Sequence, residues 1–87
     1  MDMTPIYIVA RRDKRDARLY VTTYTCPDVY ITDMRHSSNI IAVPWVQAHK
    51  VTGWIRTANW MDEAERACAI QQATDLLAVY DITPVQD

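Results

Sequence analysis

Asn59-Trp60-Met61-Asp62-Glu63-Ala64-Glu65-Arg66-Ala67-Cys68-Ala69-Ile70-Gln71-Gln72-Ala73 is the one stretch of this chain that reads clearly as an α-helix. Asn59 is a favoured N-cap, because its side-chain oxygen can accept from a free first-turn N–H. Asp62, Glu63 and Glu65 suit the positive end of the helix dipole. The alanines and glutamines that follow are strong helix formers. At 3.6-residue spacing Trp60, Met61, Ala64, Ala67 and Cys68 share a face, which is the expected core face. Further on, Ile70, Ala73, Leu77 and Tyr80 share a different face. Two readings are open there. The helix is buried on two sides, as in a dimer, or it ends near Thr74-Asp75 and an extended segment follows to Val85. The second is preferred, because Val79, Tyr80, Ile82, Thr83 and Val85 favour strand and Pro84 pushes Thr83 out of the helical region.

Upstream, the chain reads as strands and turns. Ile6-Tyr7-Ile8-Val9-Ala10 is nearly continuously apolar, so it reads as a central strand. Asp13-Lys14-Arg15-Asp16 reads as a hairpin tip without glycine, hence a four- or five-residue loop. Arg18 to Thr25 is the second strand, with Leu19, Val21 and Thr23 on one face and Tyr20, Thr22 and Tyr24 on the other. Cys26-Pro27-Asp28 reads as a turn, Val29-Tyr30-Ile31-Thr32 as a third strand, and Asp33 to Asn39 as a polar loop. Ile40-Ile41-Ala42-Val43 is a fourth strand, at an edge or ending at Pro44. Gly53 is expected at a turn with positive φ, and Trp54 to Thr57 in a brief strand. The expected architecture is α+β: an antiparallel sheet of four or five strands with one main helix on one face, a single domain over residues 1–87.

Composition bounds the function. The 87 residues carry a net charge of −2, so nothing in the overall charge favours nucleic acid. The charge is uneven: Arg11 to Arg18 holds five basic residues against two acidic, or +3, which leaves −5 for the rest. Cys26 and Cys68 are too few for a disulfide scaffold, and Cys68 is expected to pack as a small hydrophobe. His36 and His49 do not form a His-x₃-His pair with each other, and no Cys-x₂-Cys pair exists, so no metal site is expected. With one glycine in the chain, Gly-rich phosphate loops are excluded. Neither cysteine has a setting that would activate a thiol. No catalytic residue and no cofactor is therefore expected. The chain has no basic-plus-apolar leader and no apolar run near the length of a membrane span, so a cytoplasmic protein without membrane attachment is expected.

The most conspicuous polar feature is the basic hairpin of Arg11, Arg12, Lys14, Arg15 and Arg18. With the aromatics Tyr20, Tyr24 and Trp45 it forms the expected partner-binding surface, since Trp and Tyr are frequent interface anchors; Trp45 and Trp54, which flank an irregular loop, read either as the lid of a small core or as such anchors. The same cations would also suit phosphates, with tyrosines as stacking platforms. Asp13 and Asp16 are interleaved with them, and a charged tip also protects a sheet from edge-to-edge association.

The motif Trp54-x₃-Ala58-x-Trp60-x-Asp62-Glu63-Ala64-Glu65-x-Ala67, followed by Ile82-Thr83-Pro84-Val85, resembles small orphan accessory proteins of bacteriophages and prophages. The resemblance implies one helix on a sheet and no catalytic residues. It implies a non-enzymatic protein that occupies a surface of a larger host protein or ribonucleoprotein complex in the host cytoplasm, in the manner of anti-CRISPR and other anti-defence inhibitors. A nucleic-acid-binding regulator using the hairpin is the alternative, and a homodimer is compatible with either.

Overall fold

The computed structural model describes residues 4–25 and 39–85. Strands β1 (Tyr7–Arg12), β2 (Leu19–Tyr24) and β3 (Ile40–Pro44) form an antiparallel sheet in the order β2-β1-β3. A 3₁₀ turn (Trp45–Lys50) runs into a short helix α1 (Val51–Arg56), and the long helix α2 spans Glu63–Val79. The expected α+β class holds, but the sheet has three strands among the described residues rather than four or five, and two α-helices rather than one. The strand expected at Val29 to Thr32, the turn at Cys26-Pro27-Asp28 and most of the Asp33 to Asn39 loop lie outside the described residues.

β1 is central for the reason its sequence suggests. Ile8, Val9 and Ala10 are all fully buried. Ile8 and Ala10 join Leu19, Val21 and Val43 on the face covered by the helices. Val9 lies on the opposite face, between its register partners Thr22 and Ala42. On that face Arg11 Nε donates to Tyr24 Oη at 3.3 Å. Tyr24 sits in register with Tyr7, so the Arg11 and Tyr24 side chains reach toward each other past Val9.

The helix begins at Asp62, not Asn59. Asp62 accepts from the Glu65 N–H at 2.7 Å, and Glu65 Oε1 accepts from the Asp62 N–H at 3.2 Å. This reciprocal capping box satisfies two donors, whereas Asn59 offers only one. Trp60 and Met61 therefore precede the helix, and counting the helical phase from them gives the wrong face. The buried positions are Ala69, Ala73 and Leu77, flanked by Ile70 and Leu76; Ala64, Ala67 and Cys68 are exposed. Burying the larger Ile70 and Leu77 removes more apolar area from water than burying alanines. Ala69 and Ala73 let the helix approach the sheet closely.

Nor does the helix stop at Thr74-Asp75. Thr74 fits the interior by donating from Oγ1 to the Ile70 carbonyl at 2.8 Å. The helix ends in a Schellman motif: Ile82 N–H donates to Leu77 C=O at 3.0 Å and Asp81 N–H to Ala78 C=O at 3.1 Å, with Asp81 at φ 58°. Beyond it, the final strand is replaced by an extended tail pinned by Val85 N–H to His49 C=O at 2.9 Å. Gly53 has no positive φ and sits inside α1, together with Trp54, so neither the glycine turn nor the strand from Trp54 to Thr57 is present. Arg66 closes the corner between the helices, donating to the carbonyls of Ala58 (2.8 Å) and Met61 (2.9 Å).

Candidate partner-binding site

The β1–β2 hairpin is built to hold its tip in one shape. Asp13 N–H donates to Arg18 C=O at 2.9 Å and Ala17 N–H to Asp13 C=O at 3.0 Å. The two aspartates act on the backbone: Asp13 Oδ1 accepts from Arg15 N–H at 2.7 Å and Asp16 Oδ1 from Arg18 N–H at 3.0 Å. These Asx contacts hold the tip although Ala17, at φ 60°, occupies the left-handed region that disfavours a Cβ. The interleaved acids thus serve the turn. Tyr20 Oη also donates to Asp16 Oδ2.

The five cations separate into three roles. Arg12 is an internal fastener. Its guanidinium forms a two-pronged pair with Glu65 (2.9 Å from Nη2 to Oε1), donates to Ala17 C=O at 2.9 Å and to Trp60 C=O at 3.3 Å, and lies 5.9 Å from the centre of the Trp60 ring. This joins β1, the hairpin loop and the start of α2. Arg11 lies along the sheet face with Tyr24. Lys14, Arg15 and Arg18 are exposed at the tip.

These contacts set the local electrostatics. The Arg12 hydrogen bond, with the Asp62 N–H second, holds the Glu65 carboxyl down at about 2. The same pair raises the Arg12 guanidinium above its usual value. The Tyr20 hydrogen bond lowers Asp16, and Asp16 in turn raises the Tyr20 phenol. Because Glu65 is depressed in the folded state, its contribution is present above the ordinary carboxylate value of 4.5 and is lost as pH falls toward 2. Glu65→Gln is therefore expected to melt earlier than the wild type at neutral pH, with the gap closing between those limits. Thermal melts across that range check this, and a gap independent of pH would refute it.

Beside the tip lies an open cleft of about 580 Å³ between the outer edge of β2 and α2. Arg18, Leu19 and Tyr20 form one wall, and Ala64, Cys68 and Gln72 the other. The fold thus brings Arg18 and Tyr20 of the expected surface together with the tip. The backbones of Tyr24 and Trp45 stand at the other end of the sheet, about 17–20 Å from the tip along β1, although Tyr24 Oη reaches back to accept from Arg11 Nε. Trp45 is half-buried and packs edge-on against Tyr80, with ring centres 5.0 Å apart at 74°. It serves the core rather than the hairpin surface. Cys68, expected in the core, is exposed and free; Cys26 and His36 lie outside the described residues.

Sequence reasoning missed the helix wall of the cleft, because the helix was phased from Trp60. Of the two readings open for Trp54, the structure favours the exposed one: it is 58% exposed between a 380 Å³ hollow at Lys50 and Val85 and a 260 Å³ groove along β3. Among the described residues no group of three or more His, Cys, Asp or Glu is placed to hold a metal ion, and no helix is long and apolar enough to cross a membrane. Comparison with protein-family models, curated proteins and solved structures produced no match.

Proposed function

We propose that this is a non-enzymatic binding protein that docks its basic hairpin on an acidic surface of a larger partner. More particularly, it is a phage-type inhibitor or regulator, of the anti-CRISPR or another anti-defence kind, that occupies a surface of a host protein or ribonucleoprotein complex in the host cytoplasm. The observation that carries the binding reading is the presentation of Lys14, Arg15 and Arg18 on a tip fixed by two Asx contacts and fastened to α2 through Arg12. A pre-formed loop loses little entropy on binding, and its cations steer the encounter with an acidic surface. The phage-type assignment rests on the resemblance of the Trp54 to Val85 segment alone.

The test is charge reversal at the two tip residues. Lys14→Glu with Arg15→Glu is expected to weaken capture of the partner from a bacterial lysate by about tenfold or more. The melting temperature should stay within a few degrees, because neither side chain holds the fold. Undiminished capture by the folded double variant would remove the hairpin from the site. The nucleic-acid alternative uses the same cations and predicts a gel shift with single-stranded RNA that fades steeply with salt. The ionised Asp16 held against Tyr20 favours a protein surface over a phosphate chain.

A further inference from the structure

The two edges of the sheet are finished differently. On β2, the outward Val21 N–H donates to Gln72 Oε1 at 3.1 Å and the outward Leu19 C=O accepts from Gln72 Nε2 at 3.2 Å. One carboxamide thus takes the place of a neighbouring strand. On β3 no such cover is present among the described residues. Arg12 N–H donates to Asn39 C=O at 3.2 Å and Trp45 N–H to Ile6 C=O at 2.8 Å, so the odd-numbered positions of β3 face β1. Ile40, Ala42 and Pro44 therefore turn their backbone groups outward. An outer edge is normally blunted by charge, proline or a bulge; Pro44 blunts the end of β3, but Ile40-Ile41-Ala42-Val43 carries none of these. The groove beside it, bordered by Ile41, Val43, Gln47 and Trp54, is also uncharged.

We propose that a second copy of this chain pairs here, β3 against β3 in antiparallel register about a two-fold axis at Ile41. Three observations select this occupant. First, the edge is self-complementary. Ile40 opposite the partner's Ala42, and the reverse, gives two hydrogen-bonded pairs and four backbone bonds, with Ile41 facing its own copy in the non-bonded position. Second, the ladder length fits. Pro44 has no N–H to offer and Asn39, at φ 69°, leaves the strand, so only the Ile40–Val43 stretch can pair. A longer foreign strand would lose its bonds at both ends, whereas the symmetric pairing uses only what this edge offers. Third, two copies meet without charge repulsion at an uncharged edge, and both Trp54-bordered grooves are covered at once, as an isologous contact requires. The result is a continuous six-stranded sheet. Because the two β3 strands run antiparallel, the two basic hairpins stand at its opposite ends.

Ala42→Pro tests the pairing on the full chain. It deletes one outward N–H and leaves the β1–β3 ladder, which does not use that group. By light scattering at about 100 µM, a concentration suited to a small interface, the wild type is expected at twice the 10.1 kDa chain mass and folded Ala42→Pro at the monomer mass. If Ala42→Pro does not fold, Ile40→Lys places a charge on the same edge and is expected to be monomeric with an unchanged circular dichroism spectrum. A wild type that stays monomeric at that concentration overturns the proposal, whether or not it binds an extended peptide there. A folded edge variant that remains dimeric also overturns it. Hairpin charge reversal should leave the dimer intact, so failure here is separable from failure of the binding reading.

Discussion

Leu77→Ala is expected to lower the stability of this protein by about 3 kcal/mol, the central cost of emptying a fully buried leucine site. Leu77 has no exposed surface and packs into the core with Ile55 and Ala73. A domain of this length has on the order of 5–10 kcal/mol in all, so the variant should melt about 10–20 °C lower. The companion change Val79→Ala should be close to neutral, because Val79 is 76% exposed and alanine is the better helix former. The contrast discriminates between two structures. In a strand, positions 77 and 79 share a face and respond alike. In a helix they are about 200° apart, and only the buried one responds. Urea titration of both variants gives the comparison, and equal losses within about 0.5 kcal/mol would refute the helical ending.

That contrast marks where the sequence was readable. Strand periodicity located β1, β2 and β3 closely, because the Leu19/Val21 and Tyr20/Thr22 alternation and the apolar Ile8-Val9-Ala10 run are local signals. The end of α2 was not legible, because Asp81 stands where glycine usually marks a Schellman turn and β-branched residues around it suggest strand. Helix α1 was hidden for a similar reason. Val51-Thr52-Gly53-Trp54-Ile55-Arg56 has poor helix propensity, and it is the burial of Val51, Thr52 and Ile55 that fixes its state.

The site shows the same division. The basic cluster was visible as composition, but its partition was not. Arg12 leaves the cluster because Glu65, 53 residues further on, completes the α2 cap and faces the strand. No window along the chain contains both partners. The cleft wall of Ala64, Cys68 and Gln72 depends on the phase of α2, and that phase depends on a cap whose Asp62-x-x-Glu65 spacing competed with a plausible one at Asn59.

Gln72→Ala carries the other large expected effect, because this side chain seals a strand edge from a helix. Its removal leaves the Val21 N–H and Leu19 C=O without the carboxamide that satisfies them, at a cost of about 1–3 kcal/mol. Gln72→Glu separates the two bonds. The carboxylate can still accept from Val21 N–H but presents negative charge to the Leu19 carbonyl, so it should be at least as damaging at neutral pH and recover as the carboxyl is protonated. The assembly responds as well. In the proposed two-fold dimer the β3 edges are used up, and the sealed β2 edges would stop growth at two copies. With Gln72→Ala the outer edges regain an exposed donor and acceptor, and static light scattering at rising concentration should show species larger than the dimer. Wild-type melting together with wild-type scattering would show that the carboxamide seals nothing, and that α2 alone guards the edge.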